Sequence, residues 1–517
     1  MAVGSSDHSH ADVSDDGLSA ATDGPDAVGP ALRSPRVAII GAGMSGIGMA
    51  AKLRLAGIET FRIYEKSDQL GGTWRANTYP GLTCDIPSRY YSFTFAPNPD
   101  WSRLYSPGPE IWRYLDGVAR RFALHERISL GTEVSEARWL DGRWLLRTSR
   151  GDEAEYDFIV TAAGALVHPV KPEIPGLDSF AGAVFHSAEW DHSVPLRDRR
   201  IAVIGTGSTG VQLTRALAPV ASRFELYQRT PQWILPLANR RYTRLTRWAY
   251  RHIPALNRFA YQAWQVQIER TLGRATVKPG VARWWISALC RLHLRSVRDP
   301  SLRARFTPTY EPMCKRLVMS TSFYSQFKRP NVELVDAGID RVEPRGILTR
   351  DGWLHELDVF VLATGFDAHA YMKPLELVGP DGLRLSQLWD GEPFGYRSVA
   401  IPGFPNAFTL FGPHSPIGNQ SICTVSETQM DFALTLIDMW RRGDVEAMWP
   451  TAEATRRYNA ELRAAAPDTI WASGCASWYI GEDGVPQLWP WTPERHREML
   501  AEPLLEEWEL TPPSAAV

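Results

Sequence analysis

The stretch "RVAIIGAGMSGIGMAAKLRLAGIETFRIYEK", Arg36 to Lys66, decides the fold. Val37 to Ile40 reads as a short buried strand, Met44 to Leu55 as a helix with an apolar face, and Phe61 to Tyr64 as a second strand ending on Glu65. Gly41, Gly43 and Gly46 stand between the first strand and the helix as G-x-G-x-x-G. The first glycine makes a tight turn, the second lets backbone approach a pyrophosphate, and the third lets helix pack on strand. A pyrophosphate sits on the positive N-terminus of such a helix. Glu65 stands where an acid can bind the ribose hydroxyls of an adenosine. The glycines alone say little, but the full order of strand, loop, helix, strand and acid says dinucleotide.

A second copy lies at "RRIAVIGTGSTGVQLTRALAPVASRFELYQRTPQW", Arg199 to Trp233. Its glycines are Gly205, Gly207 and Gly210, with Ser208 and Thr209 at the start of the helix. The second strand ends on Gln228-Arg229-Thr230 instead of an acid. A carboxylate repels a 2′-phosphate, whereas a guanidinium and a hydroxyl accept one. The first site therefore suits FAD and the second NADPH, unless Arg229 is an ordinary exposed arginine at a strand end.

Two further strands end in small residues, "YDFIVTAAG" at Ala163-Gly164 and "LDVFVLATGFD" at Ala363-Thr364-Gly365. Small residues let the chain cross close to a dinucleotide or another strand. The two segments resemble the ATG-type crossovers of two-dinucleotide flavoproteins, where the chain passes from one nucleotide domain to the other. Since they bracket the second glycine motif, the resemblance implies an NADPH domain inserted into the FAD domain. The expectation is an α/β fold with two Rossmann-like dinucleotide-binding domains and a helical insert. Its divisions are a disordered tail over 1–34, the first part of the FAD domain over 35–164 and the first part of the NADPH domain over 165–234. The insert follows over 235–305, then the NADPH domain resumes over 306–365 and the FAD domain over 366–517.

At 517 residues the chain is too long for one core. A net charge of -2 argues against nucleic acid as a partner. Five scattered cysteines without a C-x-x-C pair read as reduced thiols of a cytoplasmic protein. No metal site is expected, because no second His or Cys stands at ligand spacing from His186. The first 34 residues have no basic start and no apolar core, so they read as a disordered tail and not a signal peptide. The insert carries "RYTRLTRWAYRHIPALNRFAYQAWQVQIERTLGR" and "VARWWISALCRLHLRSVRD", basic and aromatic at helical spacing. Two readings stand: a helical cap over the cofactor cleft, which is the blander, or a surface that lies on a membrane.

The loop "GGTWRANTYPGLTCD", Gly71 to Asp85, matches the G-G-x-W-x-x-x-x-Y-P-G-x-x-x-D pattern of class B flavoprotein monooxygenases. "FAGAVFHSAEWD", Phe180 to Asp191, matches F-x-G-x-x-x-H-x-x-x-W-[PD], the fingerprint of Baeyer–Villiger monooxygenases. Together with both nucleotide motifs and the crossovers, the chain resembles that family over nearly everything after the tail. The resemblance implies that NADPH reduces FAD, that oxygen adds at the flavin C4a position, and that the peroxide anion attacks a ketone to give an ester or lactone.

The resemblance also implies roles for particular residues. Gly72, Thr73 and Trp74 join the FAD-binding set. Arg316, in "YEPMCKRLVMSTSFYSQFKRPNV", matches the catalytic arginine, with Asp85 as the acid that orients it. Arginine suits a water-poor anion site because it does not lose its proton. Lys315 matches a 2′-phosphate ligand beside Arg229 and Thr230, and Trp478, in "GCASWYIGEDG", matches a residue that covers the nicotinamide. "FGPHSPIGN", Phe411 to Asn419, looks like the late loop with backbone donors to the flavin, and Ala165 departs from relatives that carry glutamine there. His186 is expected to be a hinge or orienting residue between the two domains. The implied partners are a small ketone and O2, with oligomeric state open. Rival readings are a flavin enzyme oxidising nitrogen or sulfur, a disulfide reductase, which lacks its cysteine pair, and a non-enzymatic NADPH sensor.

Overall fold

The computed structural model describes residues 32–481 and 483–513. The chain begins with β1 (Val37–Ile40), α1 (Met44–Leu55), β2 (Phe61–Tyr64), β3 (Ile128–Ser129) and β4 (Phe158–Thr161). Then come β5 (Ala183–His186), β6 (Arg200–Ile204), α2 (Ser208–Leu217) and β7 (Arg223–Tyr227). The insert follows, and its longest helices are α3 (Arg244–His252), α4 (Pro254–Ile268) and α5 (Val281–Leu294). The chain returns through β8 (Val332–Val335) and β9 (Val359–Leu362), then β10 (Ala407–Thr409) and α6 (Ile422–Arg442).

Two five-stranded parallel sheets carry the architecture, in the orders β10-β4-β1-β2-β3 and β8-β7-β6-β9-β5. Their central strands, VAII, FIVT and VFVL, are apolar and wholly buried, as strands covered on both faces must be. α1 departs from the one-sided helix expected, because nine of its twelve residues are buried. It lies between its own sheet and α6, and glycines allow the close approach. A Cβ on Gly48 would stand 2.6 Å from the Met430 side chain.

The second sheet is reached and left by neighbouring strands. β5 enters it and β9 leaves it, paired in parallel with His186 opposite Leu362. The two connections to the first sheet are joined as well. The Val170 amide donates to the Gly365 carbonyl at 3.0 Å, and the Asp367 amide to the His168 carbonyl at 2.8 Å. The short strand Ile234–Leu235 before the insert pairs with Val318–Met319 after it.

Residues 1–31 of the expected tail lie outside the described residues. Its last residues correct the expectation, because Arg33 is anchored. Its Nη1 meets Glu446 at 2.6 Å, and its guanidinium lies 3.9 Å from the centre of the Trp440 ring. Carboxylate, carbonyl and aromatic partners at the end of α6 offset the cost of ordering it. Among the described residues no helix is long and apolar enough to cross a membrane.

Candidate active site

In the first glycine loop, two of three glycines are required by the protein itself. Gly41 has φ +106°, and a Cβ there would stand 2.5 Å from the Ala162 carbonyl oxygen at the first crossover. A Cβ on Gly46 would stand 1.8 Å from the Gly41 oxygen. Gly43 is different. Its nearest neighbour would be the Gly72 Cα at 3.6 Å, so space in front of it is left open. Glu65 is buried at the end of β2 and accepts from the amides of Ala42 at 2.8 Å and Ser67 at 2.9 Å.

The second loop repeats the arrangement. Gly205, at φ +115°, faces the Ala363 oxygen at 2.4 Å across the second crossover, and Gly210 faces the Gly205 oxygen at 2.0 Å. A Cβ on Gly207 would meet nothing within 4 Å. Ser208 and Thr209 open α2, and the Thr230 carbonyl accepts from the Thr206 hydroxyl at 2.7 Å. Arg229 is exposed, and Lys315 lies near enough that burial and the Arg229 charge both hold its pKa below the usual lysine value. Two cations held together, with no ion pair to either among the described residues, suit a phosphate. Both loops fit dinucleotides, because the space at Gly43 and Gly207 is one that no protein atom fills.

The segment Gly71 to Asp85 runs from one loop to the other. Gly72, at φ +53°, precedes the short helix Thr73–Ala76, and the Trp74 indole donates to the Tyr91 hydroxyl at 3.1 Å. Tyr79 and Thr83 then dock on α2: the Tyr79 hydroxyl donates to Gln212 Oε1 at 3.0 Å, and Gln212 Nε2 donates to the Thr83 carbonyl at 2.9 Å. Asp85 closes the segment with a two-pronged contact to Arg316. Nε donates to Oδ2 at 2.9 Å and Nη2 to Oδ1 at 2.7 Å. The Asp85 charge raises the arginine pKa further above its usual value, against the opposing effect of burial.

Arg316 has 45% of its side-chain surface free and lines a cleft together with Asp85, Met313 and Leu317. Trp478 and Tyr479 stand between this cleft and a second cavity lined by Ala165 and the loop Phe411 to Ser415. The Trp478 carbonyl is 2.9 Å from His369 Nε2, and the Tyr479 hydroxyl donates to the Cys314 carbonyl. From the insert, Leu272 and Thr276 supply part of the cleft wall.

The segment Phe180 to Asp191 is set apart from the cleft residues and holds the second crossover. Phe180 stacks on Phe360 of β9 at 4.2 Å, and a Cβ on Gly182 would stand 2.3 Å from the Asp358 oxygen. His186 is buried and lies edge-on to Phe366 at 5.8 Å. Its Nδ1 accepts from the Ala188 amide at 3.1 Å, while Nε2 lies near the Gly365 backbone without meeting hydrogen-bond geometry. Burial lowers its pKa, which favours the neutral ring. Trp190 packs edge-on against Phe185 at 5.0 Å, and Asp191 accepts from the Ser193 amide at 2.8 Å.

Residues 34–250 match a family profile described as flavin-binding monooxygenase-like. A Baeyer–Villiger monooxygenase of Streptomyces coelicolor is 36% identical over 492 residues, covering 93% of each chain. The chain belongs to the Baeyer–Villiger monooxygenase family. An uncharacterized monooxygenase of Mycobacterium tuberculosis is 54% identical over 478 residues, 92% of this chain and 96% of the relative. The crystal structure of cyclohexanone monooxygenase from Rhodococcus sp. Phi1 bound to NADP+ superposes with a TM-score of 0.81 at 30% identity, covering 93% of this chain and 99% of that one. This Baeyer–Villiger family member is an NADPH-dependent flavoprotein monooxygenase, and its cofactors are FAD and NADPH.

One expectation is corrected at the cleft. Cys314 and Cys475 form a disulfide, with Cα atoms 6.0 Å apart, and only Cys84, Cys290 and Cys423 are free. Folding brings together two residues 161 apart in sequence, and the thiol argument for a reducing compartment falls away. The bond ties the residue before Lys315-Arg316 to the loop that carries Trp478. Sequence reasoning also missed Gln420. It follows Asn419 beside the cleft residue Gly418, and both side-chain amides are buried without hydrogen-bond partners. Consecutive amides just before a helix start are the signal that was available.

Proposed function

We propose that the protein inserts one oxygen atom of O2 beside a ketone carbonyl, giving an ester or lactone. The observation that carries this reading is the Asp85–Arg316 pair at the wall of the cleft. Bound FAD, reduced by NADPH, supplies activated oxygen, with one atom going to product and the other to water. Gly41, Gly43, Gly46, Glu65, Gly72, Thr73 and Trp74 hold FAD. Gly205, Gly207, Ser208, Thr209 and Gly210 hold the NADPH pyrophosphate, and Arg229, Thr230 and Lys315 hold its 2′-phosphate.

Arg316 keeps a permanent positive charge where negative charge builds on oxygen, and so favours a nucleophilic reaction at a carbonyl. Asp85 fixes the plane of the guanidinium with two hydrogen bonds, leaving its third nitrogen free to face the cleft. Trp478, between the two cavities, covers the nicotinamide and limits water. His186 acts as a positioning residue at the paired connections between the two sheets. It transfers no proton.

Product analysis tests the reading. The enzyme, NADPH and O2 are incubated with a panel of cyclic and linear ketones, and with amines and sulfides, and the products are identified by mass spectrometry. Esters or lactones are expected. N- or S-oxides with no ester would replace the reading with the nitrogen- or sulfur-oxidising alternative.

A further inference from the structure

The insert has two unlike sides. Its inner side is fixed: Ile286, Cys290 and Leu294 of α5 are buried, and the buried Glu269 pairs with Arg497 at 2.7 Å. Its outer side carries apolar residues that nothing covers. On α5, Val281, Trp284, Trp285, Leu289 and Leu292 follow helical spacing and are exposed, the two tryptophans by 61% and 56%. α4 repeats this with Leu256, Phe259 and Val266, and α3 with Leu245 and Trp248. Among the described residues, eleven of the twenty-one exposed large apolar side chains fall in these three helices and the Ile253 that links α3 to α4. Scattered exposed leucines need no explanation, but a concentration of this kind marks an interaction surface.

Charge narrows the partner. From Arg240 to Arg305 the chain has fifteen Arg and Lys against two acids, Glu269 and Asp299, while the whole chain is at -2. Glu269 is buried, so it does not offset the surface. Only Arg251, Arg291 and Arg305 of this set are ion-paired among the described residues, with Asp100, Glu311 and Asp336. Exposed arginines such as Arg244, Arg258, Arg270, Arg274 and Arg295 are left beside tryptophan, phenylalanine and leucine. Aromatic and aliphatic residues that enter the headgroup boundary, with arginines that meet anionic headgroups, are the chemistry of a peripheral membrane contact. A protein partner could cover the apolar stripes but would need a strongly acidic face to match the rest.

We infer that the outer side of the insert docks on an anionic lipid surface, with α5 as the main apolar contact. The inner side of the same insert lines the cleft through Leu272 and Thr276, so docking sets one wall of the active site toward the bilayer. No spanning helix is needed, and none is present among the described residues.

The test uses the full chain with FAD bound, mixed with vesicles of phosphatidylcholine alone or of phosphatidylcholine with phosphatidylglycerol, and followed by flotation. The parent is expected to float with the anionic vesicles only, and less at high salt. The double variant Trp284→Glu, Trp285→Glu should lose at least ~10-fold of the bound fraction. Its flavin absorbance and NADPH oxidation without vesicles should stay at parental values, which shows that the fold is intact. Equal flotation of parent and variant, or no flotation of the parent, overturns the inference. So does a parental dimer that the double substitution converts to monomer without any vesicle binding, because the surface would then be an interface between copies.

Discussion

In the first glycine-rich loop the strand ends on Glu65, a buried carboxylate whose oxygens are both engaged by the backbone amides of Ala42 and Ser67. In the second the strand ends on Arg229, exposed, unpaired among the described residues and close to Lys315. Up to that residue the two loops agree closely. Gly41 and Gly205 both back onto a crossover carbonyl, and Gly46 and Gly210 both close on the first glycine of their own loop. Gly43 and Gly207 both leave space in front of them. The backbone cradle is therefore a shared device, and the two loops differ in the charge at the strand end. The acid is built into its loop by hydrogen bonds, whereas the cation is left exposed.

The largest effect is expected where the two halves meet. Arg316→Ala should keep FAD bound, since Arg316 belongs to neither loop, yet lower ester formation at least ~100-fold, as loss of one preorganised electrostatic donor does. Asp85→Ala should be milder, because the charge stays and only its orientation is lost. Rapid mixing of the reduced enzyme with oxygen, followed by ester quantification, reads both. Near-parental ester formation by Arg316→Ala would remove the central cation from the mechanism.

The contrast between loops was legible in the sequence because it is local chemistry: glycine spacing, helix start and strand-end charge lie within about thirty residues. The pairing of Asp85 with Arg316 spans 231 positions, and only resemblance to a family pointed to it. The Cys314–Cys475 bond had no such guide, and spacing rules for cysteine read as separate thiols. The pairing of His168 and Val170 with the second crossover was equally hidden, since irregular segments carry no periodicity. For the insert, helical spacing predicts an apolar stripe on each helix but does not say whether anything covers it. On α5 one stripe is covered and the other is bare.

A second prediction separates the glycines within one loop. Gly43→Ala should leave the protein folded, because its Cβ meets only the Gly72 Cα at 3.6 Å, an ordinary contact. It should weaken FAD binding by about 1–3 kcal/mol, the cost of crowding a filled site, or roughly 5- to 150-fold. Gly46→Ala should instead destabilise the apoprotein, since a Cβ 1.8 Å from the Gly41 carbonyl forces α1 away from its sheet. Flavin retention on desalting and thermal unfolding of the apoprotein distinguish the two. If Gly43→Ala holds FAD as tightly as the parent, the open space at the first loop is not where the pyrophosphate lies.

The smallest effect tests the strand end itself. Arg229→Ala removes one of two neighbouring cations and touches no buried group, so FAD content and thermal stability should not change. A charge-assisted hydrogen bond contributes about 1.5–3 kcal/mol, and solvent screening of an exposed arginine puts the expectation at the low end. The Michaelis constant for NADPH should therefore rise about tenfold by that estimate, while kcat stays within twofold, roughly, because the contact is present in ground and transition states alike. NADH has no 2′-phosphate, so its Michaelis constant should hardly move, and the preference for NADPH should narrow by the same factor. Raised salt should reduce the parental preference in the same direction, through screening of Arg229 and Lys315 together. Steady-state kinetics with both nucleotides checks this directly. Equal losses with NADPH and NADH would mean that Arg229 supports the end of β7 and does not read the phosphate, and the difference between the two loops would then rest on Lys315 and Thr230.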